Sequence, residues 1–395
     1  GDLLGQSSVA GSASAETVVG KAEGLAKLSE TQGLEASTTK ISSDGGLTGI
    51  AEVSNAASAA ATFGDSATAK ATAESIQGAE LGDTKIGGIG TIGAQATFAS
   101  DADANNVTGA AFGLSKIDLS EGLDLDGKLN IASDASVQGF ADISGAASAG
   151  TTDGAAEAKS TSTTITGADL SEGKVIVGGL GSITGQANFD FSAASSNVEG
   201  GLSEAVAQSD AATGLIGSSE VIDIASDASV SGMAIGSLGA DASSTASGAT
   251  ANAGKDDSAV GALLPDLNVG GVADITGAAQ LDTSASASNV GSLGNNAISN
   301  AGLGQTVTGL VAKEIDVASD ASLTAQGFSN LDASASSTGG VASADAGNAE
   351  SMVTGLAEGL TLDIGGVGTL AATAQGTADA SASSVTGSTD ASALQ

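Results

Sequence analysis

The sequence predicts an all-β protein with a repetitive, elongated architecture. Three observations support this prediction: a seven-residue phrase recurs at fixed spacing, long segments alternate between apolar and polar residues, and small side chains dominate. The chain has 395 residues, of which 59 are Gly and one is Pro, and aromatic residues make up only 2%. Small side chains lose little entropy on burial but contribute little buried area, so we expect thin packed layers and no thick core.

The recurring phrase identifies the repeat. Residues 131–137 and 224–230 both read IASDASV, residues 317–323 read VASDASL, and the weaker copy at 41–47 reads ISSDGGL. The last three copies start 93 residues apart, at 131, 224 and 317. A fixed period of this length indicates stacked or tandem structural units. The fourth position of each copy is an aspartate, which we expect to cap a turn through a side chain to backbone bond: Asp44, Asp134, Asp227 and Asp320.

A second phrase lies about half a period after each copy of the first. It occupies residues 86–98, 177–189, 269–281 and 364–376, and in 86–98 the intervening polar residues include Thr91, Gln95 and Thr97. Alternation with a period of two predicts a long, half-buried strand. The Ala/Ser segments that follow, such as 284–290, alternate as well and predict a second strand.

Other segments vary between the repeats. Residues 19–33 and 200–214 are examples, and we interpret them as loops or short helices. Pro265 lies in such a segment just before a predicted strand, where a missing N–H is tolerated.

Two architectures fit this pattern. One is a β-solenoid or β-helix of units of about 46 residues, favoured by the likeness of the half-repeats, and the other is a row of four tandem β-sandwich-like modules of about 92 residues. The predicted organisation is an N-terminal partial repeat that serves as a docking segment, three repeats, and an incomplete fourth repeat with a C-terminal docking segment. These cover residues 1–40, 41–130, 131–223, 224–316 and 317–395.

Composition excludes several functions. The net charge is −35 and all eleven basic residues are lysines, so we expect no binding to nucleic acid, which requires clustered cations. The absence of His, Cys and Arg removes the common general base, thiolate and anion clamp, so we expect no enzyme. No stretch of about 20 apolar residues occurs, so no membrane insertion is expected.

Only carboxylates remain as candidate ligands. Calcium takes six to eight oxygen ligands, and the acidic segments 101–106 and 121–127 offer Asp101, Asp103, Asp124 and Asp126 as a possible calcium site. A solvated acidic strand edge is the alternative. Residues 88–93 match the GxGxxG dinucleotide motif, but the motif requires a helix at its third glycine and here strand alternation continues. No other cofactor is expected.

The prediction for function is a secreted structural protein. The repeats open and close in the middle of a unit, which predicts head-to-tail self-association into an extracellular fibre, surface filament or biofilm component. The alternative is a monomeric surface adhesin or a calcium-stabilised, surface-binding solenoid. An extracellular or cell-surface location is expected for both.

Overall fold

The computed structural model describes residues 1–291, 295–357 and 359–394, and within these ranges the regular secondary structure consists of strands, without a helix. The all-β prediction is therefore confirmed. The strands are β1 Asp2–Ile41, β2 Gly45–Ile86, β3 Gly90–Leu125, β4 Leu129–Ile131, β5 Ala135–Asp153, β6 Ala156–Asp169, β7 Val175–Val177, β8 Gly181–Glu199, β9 Ser203–Ile216, β10 Ile222–Ile224, β11 Ala228–Ser244, β12 Ala249–Ala253, β13 Ser258–Val269, β14 Ala273–Asn289, β15 Ala297–Ala301, β16 Thr306–Val317, β17 Ala321–Ser337, β18 Ala342–Ala346, β19 Met352–Leu356, β20 Thr361–Ile364, β21 Gly368–Ser384 and β22 Thr389–Ala393.

Among the described residues the strand pairings are all parallel, and each joins residues about one half-repeat apart. Asp2 pairs with Gly46, 44 residues further on, and Ala273 pairs with Ala321, 48 residues further on. In-register pairing places equivalent side chains on top of one another. One such row, here called the aliphatic column, runs through the molecule: Leu3, Leu47, Ile92, Val137, Ile183, Val230, Ile275, Leu323 and Leu370.

The predicted β-solenoid and the alternative of tandem β-sandwich modules are both wrong. Hydrogen bonding closes a parallel β-barrel of eight strands, in the order β2, β3, β6, β9, β13, β10, β7 and β4, and the other fourteen strands lie outside it. The barrel closes because two long strands each pair with two shorter, successive strands. β2 pairs with both β3 and β4, and β3 pairs with both β5 and β6. A sequence period counts residues between equivalent positions and does not show where such branching occurs. The pairings between units are parallel, whereas a sandwich module requires antiparallel ones.

The variable segments are also strands. Residues 19–33 lie within β1 and most of residues 200–214 within β9, so the predicted helices or loops are wrong. The Ala/Ser segment 284–290 does not form a separate strand, because β14 continues through it to Asn289. Pro265 lies inside β13, at a gap in the register with β16 between the pairs of Leu264 and Asp266.

Two hydrophobic clusters of different character fill the interior. The small-residue core consists mainly of Ala, for example Ala96 and Ala193, with a few larger side chains such as Phe98. The aliphatic core consists mainly of Leu, Ile and Val and contains the buried members of the aliphatic column, such as Ile183. Backbones approach closely beside the small-residue core: a Cβ at Gly113 would lie 2.2 Å from the carbonyl oxygen of Ser148.

Candidate functional site

The four recurring aspartates join one unit to the next. Each accepts a hydrogen bond through Oδ1 from a backbone N–H at the equivalent turn of the following unit. The pairs are Asp44 with Ile89 at 2.8 Å, Asp134 with Leu180 at 2.9 Å, Asp227 with Val272 at 2.8 Å, and Asp320 with Val367 at 2.7 Å. The predicted side chain to backbone bond is confirmed, but its donor lies 45 to 47 residues away.

Glycines complete these turns and explain the long period. A Cβ at Gly179 would lie 2.3 Å from Asp134 Oδ1, and the same clash arises at Gly88, Gly271 and Gly366. An aspartate turn is therefore followed by a glycine turn, because the carboxylate occupies the space of the next Cβ. Successive units therefore alternate between an aspartate turn and a glycine turn, and the seven-residue phrase that contains the aspartate recurs after every second unit.

The GxGxxG match at 88–93 belongs to this arrangement. Gly88 faces the Asp44 carboxylate, and Gly90 begins β3. A dinucleotide site requires a helix that opens at the third glycine, and the strand β3 runs through Gly93 instead. The glycines of this segment therefore allow close packing at the turn and do not form a nucleotide site.

The predicted calcium ligands do not form one site. In the described ranges, no group of three or more carboxylates, His or Cys is placed to hold a metal ion. Asp103 Oδ1 accepts hydrogen bonds from Asn105 at 2.9 Å and Ser148 at 2.5 Å, whereas Asp124 lies at the far end of the same strand and Asp126 follows that strand. Calcium binding by Asp101, Asp103, Asp124 or Asp126 stays a prediction.

Asp124 belongs to a partly buried acidic cluster. Gln77 Nε2 donates to Glu121 Oε2 at 2.9 Å, and Gln32 Nε2 donates to Gln77 Oε1 at 2.8 Å. Burial, followed by the nearby charges of Glu121 and Asp169, raises the pKa of Asp124 to about 7. Burial also raises the pKa of Glu121. The cluster therefore holds protons at a pH where surface carboxyls are ionised.

The aliphatic column is open at both ends. Leu3 on β1 is 45% exposed and Leu370 on β21 is 53% exposed, whereas their neighbours Leu47 and Leu323 are each 1% exposed. In the described part of the chain, β1 pairs only with β2, and β21 only with β17, so each end also presents the unpaired edge of a strand. The ends thus combine exposed apolar side chains with free main-chain hydrogen-bonding groups.

A polar group inside the molecule was missed by the sequence analysis. Gln305 Nε2 donates to Thr283 Oγ1 at 3.0 Å, and Ser329 Oγ donates to Gln305 Oε1 at 3.2 Å. Asp257, whose backbone carbonyl accepts a bond from the N–H of Thr306 next to Gln305, is buried as well, and burial raises its pKa to about 8. Thr283, Gln305 and Asp257 lie in the repeat 224–316 and Ser329 in the repeat 317–395, and their positions follow no recurring spacing. The signal available in the sequence was a polar residue at a position expected to face inward.

Comparison with known family models, curated proteins and solved structures found no match. None of the described residues belongs to a helix long and apolar enough to cross a membrane.

Proposed function

We propose that the protein is a structural, non-catalytic subunit that associates end to end into an extracellular filament. The observation that carries this proposal is the aliphatic column, which is buried along its length and exposed at Leu3 and Leu370. The two exposed ends are complementary, because each is a parallel strand edge with a leucine in the same column. A second copy of the chain fits this surface better than an unrelated partner, since every internal contact in the column is already of this kind.

The energetics favour association at the ends. Full burial of a Leu side chain is worth about 1.5–3 kcal/mol, and each end adds further exposed apolar groups, among them Leu4 and Val19 at one end and Val367 and Val385 at the other. Main-chain hydrogen bonds between added strands contribute affinity in the same way as in β-augmentation. A contact between two different surfaces does not close on itself, so it propagates a filament.

The charge of the protein limits association through surfaces that lack such apolar groups. A net charge of −35 opposes side-by-side association through mutual repulsion. The extracellular setting is supported by composition alone, because a chain that lacks Arg, His, Trp and Cys contains little nitrogen and sulfur, as suits an abundant exported material.

The test compares an end variant with a variant on the side of the molecule. Leu370→Asp places a charge on the open column, and Leu180→Asp places the same charge at a turn where the leucine is exposed to a similar degree, 49%. We expect wild type and Leu180→Asp to form concentration-dependent polymers in sedimentation velocity and filaments in electron micrographs, and Leu370→Asp to remain monomeric. A wild-type protein that stays monomeric at high concentration, as expected for an adhesin, would overturn the proposal, as would polymers of unchanged length from Leu370→Asp.

A further inference from the structure

The polar group around Gln305 has the parts of a covalent modification site. Thr283 lies in β14, Ser329 lies in β17, and Gln305 directly precedes β16. The three side chains are 3%, 1% and 2% exposed, respectively. The threonine hydroxyl therefore lies against a side-chain amide whose oxygen accepts a bond from a serine, in a place without bulk water.

We propose that Thr283 and Gln305 form an intramolecular ester cross-link. In this step Thr283 Oγ1 bonds to the side-chain carbonyl carbon of Gln305, and the bond between that carbon and Nε2 breaks. The hydroxyl proton is transferred to the departing nitrogen, which leaves as ammonia. One hydroxyl and one primary amide thus give one ester and one ammonia molecule, without an oxidant or a co-reactant, and the reaction occurs once per chain.

The surroundings favour each part of this reaction. Holding the hydroxyl against the amide replaces a bimolecular encounter with an intramolecular one. The Ser329 hydroxyl, 3.2 Å from Gln305 Oε1, is placed to stabilise the negative charge that develops on this oxygen during attack. Gly254 allows the close approach: a Cβ there would lie 2.9 Å from Thr283 Cγ2, and its φ of +65° suits glycine.

Asp257 is a buried acid whose backbone lies beside that of Gln305. Its carbonyl oxygen accepts a bond from the N–H of Thr306, next to Gln305, and its Oδ2 accepts a bond from the Ser209 N–H at 3.2 Å. Its Oδ1 is buried and has no hydrogen-bond partner among the described residues. Because burial raises the pKa of Asp257 to about 8, this carboxyl is protonated near neutral pH.

An exposed pair of the same residue types provides an internal comparison. Gln95 Nε2 donates to Thr97 Oγ1 at 3.2 Å on the solvent side of β3. This pair lacks burial, and its glutamine oxygen has no serine donor in the described structure. We expect no ester there, since water competes for both groups.

The experiment is an intact mass measurement on the purified full-length chain. We expect wild type to have the mass of its sequence less one ammonia. Hydroxylamine, which cleaves esters, should free the Thr283 hydroxyl and leave a hydroxamate at Gln305, so that the mass becomes that of the sequence plus one oxygen. Thr283→Val and Gln305→Met, which preserve shape, should show the full mass of their own sequences, and Ser329→Ala should lose ammonia at least tenfold more slowly. Gln95→Met serves as the matched control and should keep the deficit.

Peptide mapping gives the same answer without any variant. Cleavage after lysine releases residues 256–313, which contain both Thr283 and Gln305, so the deficit should lie in this peptide. A full-mass wild-type chain after prolonged incubation near neutral pH would overturn the proposal. A deficit that persists in Thr283→Val, or that maps to another peptide, would overturn it as well. None of these outcomes depends on whether the copies form filaments.

Discussion

The aliphatic core and the small-residue core fill the interior in opposite ways. The aliphatic core fills its space with large side chains, and in-register pairing stacks them into a column in which Ile183 and its neighbours are buried. The small-residue core uses alanines and lets the backbones approach, as at Gly113. The first region should therefore be sensitive to deletion of atoms, and the second to their addition.

The difference also explains how a chain with few large apolar residues can pack. Thin layers of alanine bury little area per residue, but parallel pairing repeats the layer through many strands. The aliphatic core supplies the large side chains that fix the register, because a shift by one residue would expose the whole column.

The largest expected change in stability comes from removing side-chain atoms from the aliphatic core. Ile183→Ala should lower the free energy of unfolding by about 2–5 kcal/mol, because it removes a buried side chain and leaves a cavity in the column. Ser182→Ala, on the adjacent and partly exposed position of β8, is the control and should change stability by less than about 0.5 kcal/mol. Urea denaturation followed by circular dichroism would measure both. Equal effects would contradict the assignment of Ile183 to a close-packed column.

The addition of atoms tests the other core. Ala193 is buried and Ala194 is exposed, although they are consecutive residues of β8. Ala193→Leu should destabilise the protein by about 1–3 kcal/mol through overpacking, and Ala194→Leu should have little effect. If both substitutions were tolerated equally in thermal unfolding, the small-residue core would not be closely packed.

A smaller expected effect is a dependence of stability on pH. A carboxyl that is at least partly buried lies beside each core, so variants can show which core the dependence comes from. Asp124 lies between Leu123 and Leu125 of the aliphatic core, and Asp257 lies near Ala259 of the small-residue core. Both carboxyls have a pKa raised by burial, to about 7 and about 8. Between the unfolded pKa and these values the folded state binds more protons than the unfolded state. The contribution of these two carboxyls to stability is therefore fully present below the unfolded pKa and is lost as pH rises through the folded pKa.

We therefore expect a lower melting temperature at about pH 9 than at about pH 5. Asp257→Asn and Asp124→Asn should each flatten part of this dependence, and the larger change identifies the core that carries it. Surface Asp241→Asn is the control. A melting temperature that rises with pH over this range would show that the carboxyls are not buried in neutral form.

Much of the local structure was predictable from the sequence. The alternation predicted strands over 86–98 and 177–189, and β3 and β8 confirm this from Gly90 and Gly181 onward, whereas residues 87–89 and 178–180 lie outside the strands. The aspartates at 44, 134, 227 and 320 indicated turns with side chain to backbone bonds. Both predictions rest on interactions that follow from the local pattern. The alternation of aspartate and glycine turns was visible as a period of 93, but its cause required the contact between Asp134 and Gly179.

The closure of the barrel was not predictable, because it depends on which strands a long strand pairs with. β2 and β3 each pair with two successive strands, and nothing in their composition marks the branch. The loops or short helices predicted for the variable segments were wrong for a related reason: parallel pairing of β1 and β9 with their neighbours imposes an extended conformation on sequences with little β preference. Tertiary pairing likewise brings Thr283, Gln305 and Ser329 together.

The most direct test of end-to-end association uses the absence of cysteine from the chain. In the double variant Leu3→Cys/Leu370→Cys, stacking of β21 of one copy on β1 of the next would bring the two sulfurs within disulfide reach. We predict a ladder of covalent multimers on a non-reducing gel after mild oxidation, which a reductant abolishes. Leu3→Cys/Leu180→Cys, whose second cysteine lies on the side, should give no more than dimers. Equal ladders from both double variants, or no multimers from the first, would contradict the account.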